Sequence, residues 1–257
     1  LPVVDKPLIQ YAVEEAAEAG GEDFIFVTGR NKTAIEDHFD HSFELEETLA
    51  AKGKDEALHL VKDMLHNPGS IFYVRQQQPA GLGHAVWCAR HLVGSEPVAV
   101  LLADDLILGA SCVKEMVDAY KGGNMVAVMD VPHEQTGSYG IVTPGADDGR
   151  IVQVEGLVEK PDPSSAPSNI AVVGRYIITP EVFETLAAQE RGAGGEIQLT
   201  DALAKQIGKA PFSGVRFSGE RFDCGSKLGF LQANVAFGLN NDAMRDQLRD
   251  WLGERLG

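Results

Sequence analysis

The chain is poor in several features that mark particular classes of protein. Its 257 residues include three scattered cysteines, Cys88, Cys112 and Cys224, without a Cys-x-x-Cys pair. An odd, unpatterned set of this kind favours a reducing compartment over a disulfide framework. No apolar run approaches the ~20 residues that a membrane-spanning helix needs, and no signal-peptide pattern opens the chain. We therefore expect a cytoplasmic protein without a membrane partner.

Positive charge is also scarce. The chain has 22 Lys and Arg against 38 Asp and Glu, a formal net charge of −16. Nonspecific nucleic-acid binding depends on Lys and Arg, so a nucleic-acid partner is disfavoured. No G-x-G-x-x-G or Walker sequence occurs, which disfavours a P-loop kinase and a dinucleotide fold of that kind. The seven histidines are not spaced as metal ligands, and no Ser-His-Asp arrangement is indicated.

The first half of the chain alternates helices and strands, which is typical of a mainly parallel α/β sheet. Predicted helices cover 8–19 (with Pro7 in the first turn), 31–39, 42–66 (a pair broken near Gly53), 84–93 and 111–121. Predicted strands cover 24–28, 71–74, 98–102 and 125–131.

The second half is richer in strands separated by Gly, Pro and Ser. Predicted strands cover 139–143, 151–154, 157–159 and 170–178, and predicted helices cover 180–189, 196–208, 226–239 and the apolar-striped C-terminal stretch 240–257. The fold class is therefore α/β, a mostly parallel mixed sheet flanked by helices, with a smaller β-rich region. An amphipathic terminal helix can pack on its own domain or on a second subunit, and we favour the subunit.

The stretch Pro97–Gly109 organises the chain. An apolar run is followed directly by Asp104 and Asp105 and then by Leu106, Ile107 and Leu108. Open α/β sheets bind ligands at the carboxyl ends of such strands, and carboxylates with apolar flanks need a cation or hydrogen-bond donors. The pair predicts a divalent metal site. A turn or helix-cap pair is an equally weighted alternative, because Asp is favoured there.

Three other stretches carry side chains suited to ligands. In the loop Gln76–Gly83, glycines let a backbone approach a flat ligand closely, and a Gln amide suits the edge of a pyrimidine base. Glu159 and Lys160 put an acid and a base at a strand end beside Pro161, where both side chains can reach one site. The structural alternatives are a plain turn for the loop and an exposed ion pair for Glu159 and Lys160. His84 is expected to be a helix-surface or packing residue.

Two helix starts add carboxylates. Asp223 precedes a glycine turn and, taken alone, is an N-cap by default. Glu196 follows a Gly-Gly pair, where it can face a ligand or simply favour the positive end of a helix.

Taken together, the sequence resembles the sugar-1-phosphate nucleotidylyltransferase family. The resemblance covers essentially the whole chain and rests on motifs in the family's order: LPVVDKPLIQY (1–11), QQQPAGLG (76–83), Asp104-Asp105, SYG (138–140), VEKP (158–161), SNIAVVGRY (168–176), GEIQLTD (195–201) and FDCG (222–225). The helical segment 42–66, the QQQPAGLGHA loop and the ADDLIL strand end favour the branch that acts on UTP and glucose 1-phosphate over thymidylyltransferases. Each motif is weak alone, and their order is what makes the resemblance specific.

The resemblance implies a Rossmann-like, glycosyltransferase-A-like fold and a reaction. The sugar phosphate attacks the α-phosphorus of UTP in line, giving UDP-glucose and pyrophosphate, in a homodimer or homotetramer that uses Mg²⁺. The residues that it implies are, for the metal, Asp104 and Asp223; for catalysis, Lys160 and Asp104; for the nucleotide, Gln76, Gly81 and Asp105; and for the sugar, Gly140, Glu159, Val172 and Glu196.

One departure from the family pattern concerns the start of the chain. The family carries a G-x-G-T-R loop and a catalytic lysine upstream of the Leu-Pro-Val segment, which is where this chain begins with Leu1. We therefore expect residues 1–257 to form one nucleotidyltransferase domain lacking its N-terminal strand and glycine-rich loop, with further sequence upstream. The alternatives are a thymidylyltransferase of the same family, a glycosyltransferase, and a noncatalytic nucleotide-sugar-binding subunit.

Overall fold

The computed structural model of the chain describes residues 1–64 and 67–257. Its helices are α1 (Leu8–Glu18), α2 (Thr33–His38), α3 (Phe43–Ala51), α4 (Asp55–Asp63), α5 (Leu82–Cys88), α6 (Cys112–Ala119), α7 (Pro180–Leu186), α8 (Leu199–Ala204), α9 (Lys227–Asn240) and α10 (Arg245–Leu256). Its strands are β1 (Pro2–Val3), β2 (Lys6–Pro7), β3 (Phe24–Thr28), β4 (Ile71–Arg75), β5 (Val98–Leu101), β6 (Asp105–Leu108), β7 (Asn124–Asp130), β8 (Gly140–Asp147), β9 (Ile151–Glu159), β10 (Ile170–Ile178), β11 (Phe212–Arg216) and β12 (Glu220–Asp223).

The main sheet has the strand order β5-β10-β7-β11-β9-β8. Strands β3 with β4 and β6 with β12 form two smaller ribbons. The predicted α/β fold with a mixed sheet is confirmed. Among the described strands, however, only β3–β4 and β7–β11 pair in parallel, and the other pairs are antiparallel.

Strand β10 explains why direction was hard to predict. All nine of its residues are buried, and apart from Gly174 and Arg175 its sequence is rich in apolar residues, as in interior parallel strands. Its even-numbered residues Val172 and Tyr176 join one core cluster, whereas Val173 and Ile177 join another. An apolar run therefore reports burial on two faces, and it does not report strand direction.

Several element bounds differ from the prediction. Residues 151–159 form one strand rather than two, and 212–216 and 220–223 are strands that the sequence analysis missed. The predicted break near Gly53 is confirmed, because Gly53 has φ +62° between α3 and α4. The end of that predicted segment, 65–66, lies outside the described residues.

The first predicted helix begins at the predicted residue, Leu8. Pro7 lies in the short β1–β2 hairpin and occupies the N-cap position, directly before the first turn. Within the described ranges, none of the helices has the length and apolar character required to cross a bilayer.

A buried arginine ties three elements together beneath the Asp104–Asp105 turn. The Arg175 side chain, 1% exposed, donates from Nε and Nη2 to Glu15 Oε2 at 3.0 and 2.7 Å. Its Nη1 donates to the carbonyls of Leu102 and Gly174, both at 2.9 Å, and its Nη2 donates to the carbonyl of Asp105 at 2.7 Å. A buried charge is tolerated when it is paired and fully hydrogen-bonded. Arg175 therefore fixes both ends of the turn to α1 and β10.

Gly174 allows this close approach. Its N–H donates to Asp105 Oδ2 at 2.6 Å. A Cβ at this position would lie 2.5 Å from that oxygen and 2.7 Å from Leu102 Cβ. The sequence thus places a glycine where any side chain would push the aspartate turn away.

We expect Gly174→Ala to lower the free energy of unfolding by about 1–3 kcal/mol, because the added methyl overpacks a buried site. Urea unfolding measures the change. Gly94→Ala is the matched control, since a Cβ at Gly94 meets nothing within 4 Å. Equal stability of the two variants would contradict the overpacking argument.

Candidate active site

The aspartate pair lies between two strands rather than at a helix start. Strand β5 ends at Leu101 and β6 begins at Asp105, whose N–H donates to Leu102 O at 3.2 Å. The following helix, α6, is capped by Ser111, whose Oγ accepts from the N–H of Lys114. The helix-cap interpretation of the pair is therefore excluded, and the two aspartates form part of a strand-to-strand turn.

Asp105 is the buried member of the pair, with 7% of its side chain exposed. Its Oδ1 accepts from Arg221 Nε at 2.8 Å and from Arg221 Nη2, and its Oδ2 accepts from Gly174 N. Both oxygens are thus engaged within the protein. The expected contact of Asp105 with nucleotide stays a prediction, and these hydrogen bonds favour a positioning role.

Asp104 and Asp223 converge on Gly225. A Cβ on Gly225 would lie 3.1 Å from Asp104 Oδ2 and 3.1 Å from Asp223 Oδ1. The two strands are held in place by the pairing of Asp105 with Asp223 and by the Cys224 N–H, which donates to Asp104 O at 2.7 Å. The glycine therefore leaves open a small volume that both carboxylates border.

Asp223 is not the cap of α9. Ser226 takes that place, with its Oγ accepting from Gly229 N at 3.0 Å. Asp223 Oδ1 accepts from Gly225 N at 3.1 Å. Among the described residues, Asp223 Oδ2 accepts no hydrogen bond. The N-cap alternative for Asp223 is excluded.

The local field around this pair is negative. Burial raises the pKa of Asp104, and the charges of Asp105 and Asp223 raise it further. Burial, together with the charges of Asp223 and Asp104, raises the pKa of the Cys224 thiol to about 11. A cation beside Asp104 would relieve this repulsion.

The number of carboxylates at this position fits the way in which proteins usually hold Mg²⁺. Mg²⁺ is usually held by one or two carboxylates together with substrate phosphates, not by an all-protein cage. No group of three or more His, Cys, Asp or Glu side chains arranged for a metal occurs in the ranges 1–64 and 67–257. Two carboxylates beside an open glycine are consistent with the first kind of site.

The side chains of Glu159 and Lys160 lie close to each other, and their reach to one ligand stays a prediction. Lys160 has φ +47°, a left-handed conformation that breaks the alternation of the strand. Its Nζ lies 3.6 Å from Glu159 Oε1, and the Glu159 side chain is 11% exposed whereas that of Lys160 is 51% exposed. The pair is therefore half-buried, unlike the exposed ion pair that was the alternative.

Gly140 and Thr200 border the carboxylate of Glu159. Gly140 pairs with Glu159 in the β8–β9 ladder, and a Cβ on Gly140 would lie 3.2 Å from Glu159 Oε2 and 3.3 Å from Thr200 Oγ1. The buried Thr200 was not predicted, because a threonine inside a helix has no distinctive sequence signal.

Gln76, Gly81 and Glu196 form a further group of neighbouring candidate residues. Gln76 Nε2 donates to Gly81 O at 3.0 Å. Gly81 has φ +109°, and a Cβ there would lie 2.8 Å from Glu196 Cβ. The glycine is thus required both by its backbone conformation and by the close approach of the Glu196 segment. Glu196 itself is exposed.

Val172 differs from the other expected sugar-site residues. Its side chain is buried in the main core cluster, with 6% exposure. The side-chain contact that a sugar-binding role would need therefore has no support in this packing.

Tyr139 connects Arg221, the partner of Asp105, with Lys160. Its hydroxyl accepts from Arg221 Nη1 at 3.1 Å, and its carbonyl accepts from Lys160 N at 2.9 Å. Arg221 is the same residue that binds Asp105. The sequence analysis quoted Tyr139 within the SYG motif and gave neither residue a role, since a tyrosine and an arginine 82 positions apart carry no signal of contact.

Comparison with known proteins places this arrangement in a family. The sequence model of the family described as "Nucleotidyl transferase" matches residues 1–238. A UTP–glucose-1-phosphate uridylyltransferase of Komagataeibacter xylinus is 50% identical over 255 residues, which cover 98% of this chain and 87% of that protein.

Two solved structures are similar over nearly their whole length. A UTP-bound UGPase from Acinetobacter baumannii is 39% identical with a TM-score of 0.89, covering 98% of this chain and 89% of that one. A UDP-glucose pyrophosphorylase complexed with UDP-glucose is 41% identical with a TM-score of 0.84, covering 94% of this chain and 90% of that one. The chain belongs to the nucleotidyl transferase family.

We expect Asp104→Asn to lower magnesium-dependent turnover about 10²–10³-fold, the usual loss when one group that stabilises transition-state charge is removed. The same change should raise the melting temperature of the metal-free protein. Because folding raises the pKa of Asp104, its ionised form destabilises the folded state at neutral pH, and a neutral amide removes that cost.

Steady-state kinetics and thermal melts with a chelator measure the two effects. Asp118→Asn is the control, since Asp118 forms only an exposed ion pair with Lys114 on α6. Normal turnover of Asp104→Asn with magnesium would exclude a ligand role for Asp104.

Proposed function

We propose that this protein transfers the uridylyl group of UTP to glucose 1-phosphate, giving UDP-glucose and pyrophosphate. The observation that carries the proposal is the convergence of Asp104 and Asp223 on Gly225, linked through Arg221 and Tyr139 to Glu159 and Lys160. The relatives at 50% and about 40% identity carry the names and bound molecules of this reaction.

The reaction needs alignment more than a strong base. The sugar phosphate is already an anionic nucleophile, and its oxygen attacks the α-phosphorus in line while pyrophosphate leaves. The protein must therefore hold two polyanions in register and offset their repulsion. Asp104 and Asp223 would hold Mg²⁺, which supplies positive charge to phosphate oxygens when bound.

Glu159 and Lys160 divide the recognition of glucose 1-phosphate between them. A carboxylate accepts hydrogen bonds from two sugar hydroxyls, and the carboxylate of Glu159 lies beside Gly140 and Thr200. The ammonium of Lys160 is a compact point charge, half-exposed beside that carboxylate, where it neutralises the phosphate. Gly140, Val172 and Glu196 are proposed to shape the sugar pocket, with Val172 contributing backbone.

The base is proposed to lie against Gln76 and Gly81. Gly81 brings its backbone close to the ligand because its φ of +109° excludes other residues. Asp105 is proposed to act on the nucleotide indirectly, because its bonds to Arg221 and Gly174 hold the turn that carries Asp104.

We also propose a cytoplasmic homo-oligomer in which residues 240–257 contribute to a subunit contact. Leu228, Leu231 and Val235 form an exposed stripe on α9, and Trp251 is half-exposed on the adjacent α10. Cys88, Cys112 and Cys224 are free thiols, as a reducing compartment requires. A monomer mass by light scattering would refute the oligomer.

The function is tested with a panel of nucleoside triphosphates and sugar 1-phosphates, using the chain together with any sequence that precedes it in its gene. We expect pyrophosphate release with UTP, glucose 1-phosphate and Mg²⁺. Faster release with dTTP would favour the thymidylyltransferase alternative. Binding of UDP-glucose without any pyrophosphate release would favour the noncatalytic alternative.

We expect Lys160→Ala to raise KM for glucose 1-phosphate about tenfold or more and to change KM for UTP much less, because a charge-assisted contact to one substrate is lost. Initial rates with each substrate varied in turn give both constants. Lys205→Ala is the control, since Lys205 forms an exposed ion pair with Glu190. Equal increases in both KM values would contradict the assignment.

A further inference from the structure

The amide of Gln76 has a defined orientation in the loop that precedes α5. Its Nε2 lies 3.0 Å from the carbonyl oxygen of Gly81 and 3.0 Å from Nδ1 of His84. A carbonyl oxygen only accepts hydrogen bonds, so the amide group facing it must be the NH₂ donor. The position of Gly81 O therefore identifies the end of the amide that points inward.

The tautomer of His84 follows from that orientation. The first N–H of Nε2 binds Gly81 O, and the second points to His84 Nδ1. Nδ1 must then accept, so the neutral ring carries its proton on Nε2. Both donors of the Gln76 amide are consumed inside the protein, and Oε1 is the amide atom left for a ligand.

The backbone around this amide is held firmly on both sides. Gln76 N donates to Thr28 O at 2.8 Å, which joins the loop to β3. Ile197 N donates to Ala80 O and Gly83 N donates to Ile197 O, both at 2.8 Å, which join the loop to the segment before α8. The loop is held by its main chain, whereas among the described residues the side-chain amide donates to Gly81 O and His84.

We propose that His84 is a positioning residue that makes the base site accept hydrogen bonds and thereby selects uracil over cytosine. Uracil presents a donor at N3–H, which pairs with Oε1 of Gln76. Cytosine presents an acceptor at N3, which would face that oxygen and leave both unpaired. Thymine shares N3–H with uracil, so this device does not separate those two bases. The inference rests on the proposed nucleotide site at Gln76 and Gly81.

Without His84, one N–H of the amide loses its partner, and the bond to Gly81 O alone opposes a flip of the amide. The flipped orientation, which presents NH₂ to the base, is then more populated than in the wild type. The variant His84→Ala should then lose selectivity for UTP over CTP by about tenfold, through weaker UTP binding and stronger CTP binding. A purely structural role for His84 would weaken both ligands together and leave their ratio unchanged.

The experiment measures equilibrium binding of UTP and CTP by calorimetry, with Mg²⁺ present, to the wild type and to three variants. His84→Gln offers a side-chain carbonyl that can accept from Gln76 Nε2, and we expect it to recover part of the ratio. Cys88→Ala removes the neighbouring thiol, 3.9 Å from His84 Nδ1, and should keep the wild-type ratio. His91→Ala, at an exposed histidine, should also keep it.

The outcomes separate this inference from the proposed reaction. A wild type that binds the two nucleotides equally, or a His84→Ala variant that keeps the wild-type ratio, overturns the role of His84. A wild type that selects UTP and loses the selection in His84→Ala, yet releases no pyrophosphate with glucose 1-phosphate, supports the role and refutes the proposed reaction. A fall in binding of both nucleotides by the same factor in His84→Ala also overturns it.

Discussion

The buried guanidinium of Arg175 is the constraint on which the site depends. It binds Glu15 on α1 and the carbonyls of Leu102, Gly174 and Asp105. Removing a partner of such a buried charge costs stability, because the charge is then left unpaired in a medium of low dielectric. These hydrogen bonds therefore hold the turn that carries Asp104 in position, because a shift would break bonds that water does not replace.

Asp105 connects the turn held by Arg175 to further elements of the site. Its carboxylate joins Gly174 on β10 to Arg221 on β12, and Arg221 reaches Tyr139 before β8. Chains of hydrogen bonds in a poorly solvated interior reinforce one another. Two neighbouring aspartates therefore have different tasks. Both carboxylate oxygens of Asp105 accept hydrogen bonds from the protein and hold the turn in place. Asp104 is then directed at Asp223 and at the open volume beside Gly225.

The sequence predicted those features of the structure in which the local backbone restricts the type of residue. Gly53, Gly81 and the Glu159–Lys160 pair were found because a positive φ, a close approach or a proline neighbour leaves a local signal. Strands β11 and β12 were missed because each is short, four or five residues, and holds polar residues such as Arg221. The roles of Arg175, Arg221 and Thr200 depend on contacts between positions far apart in the chain, which composition and periodicity do not encode.

The charge balance of the site explains why a metal belongs in the proposal. The chain carries a net charge of −16, yet its proposed substrates are polyanions. Within the described site, Arg175 is neutralised by Glu15 and Arg221 by Asp105, so neither guanidinium is free for phosphate. Lys160 is half-exposed but lies beside Glu159. The negative field around Asp104 and Asp223 would repel a triphosphate, and a bound divalent cation would reverse its sign. The carboxylates that would repel the substrate alone are thus the groups that would favour a divalent cation and substrate together.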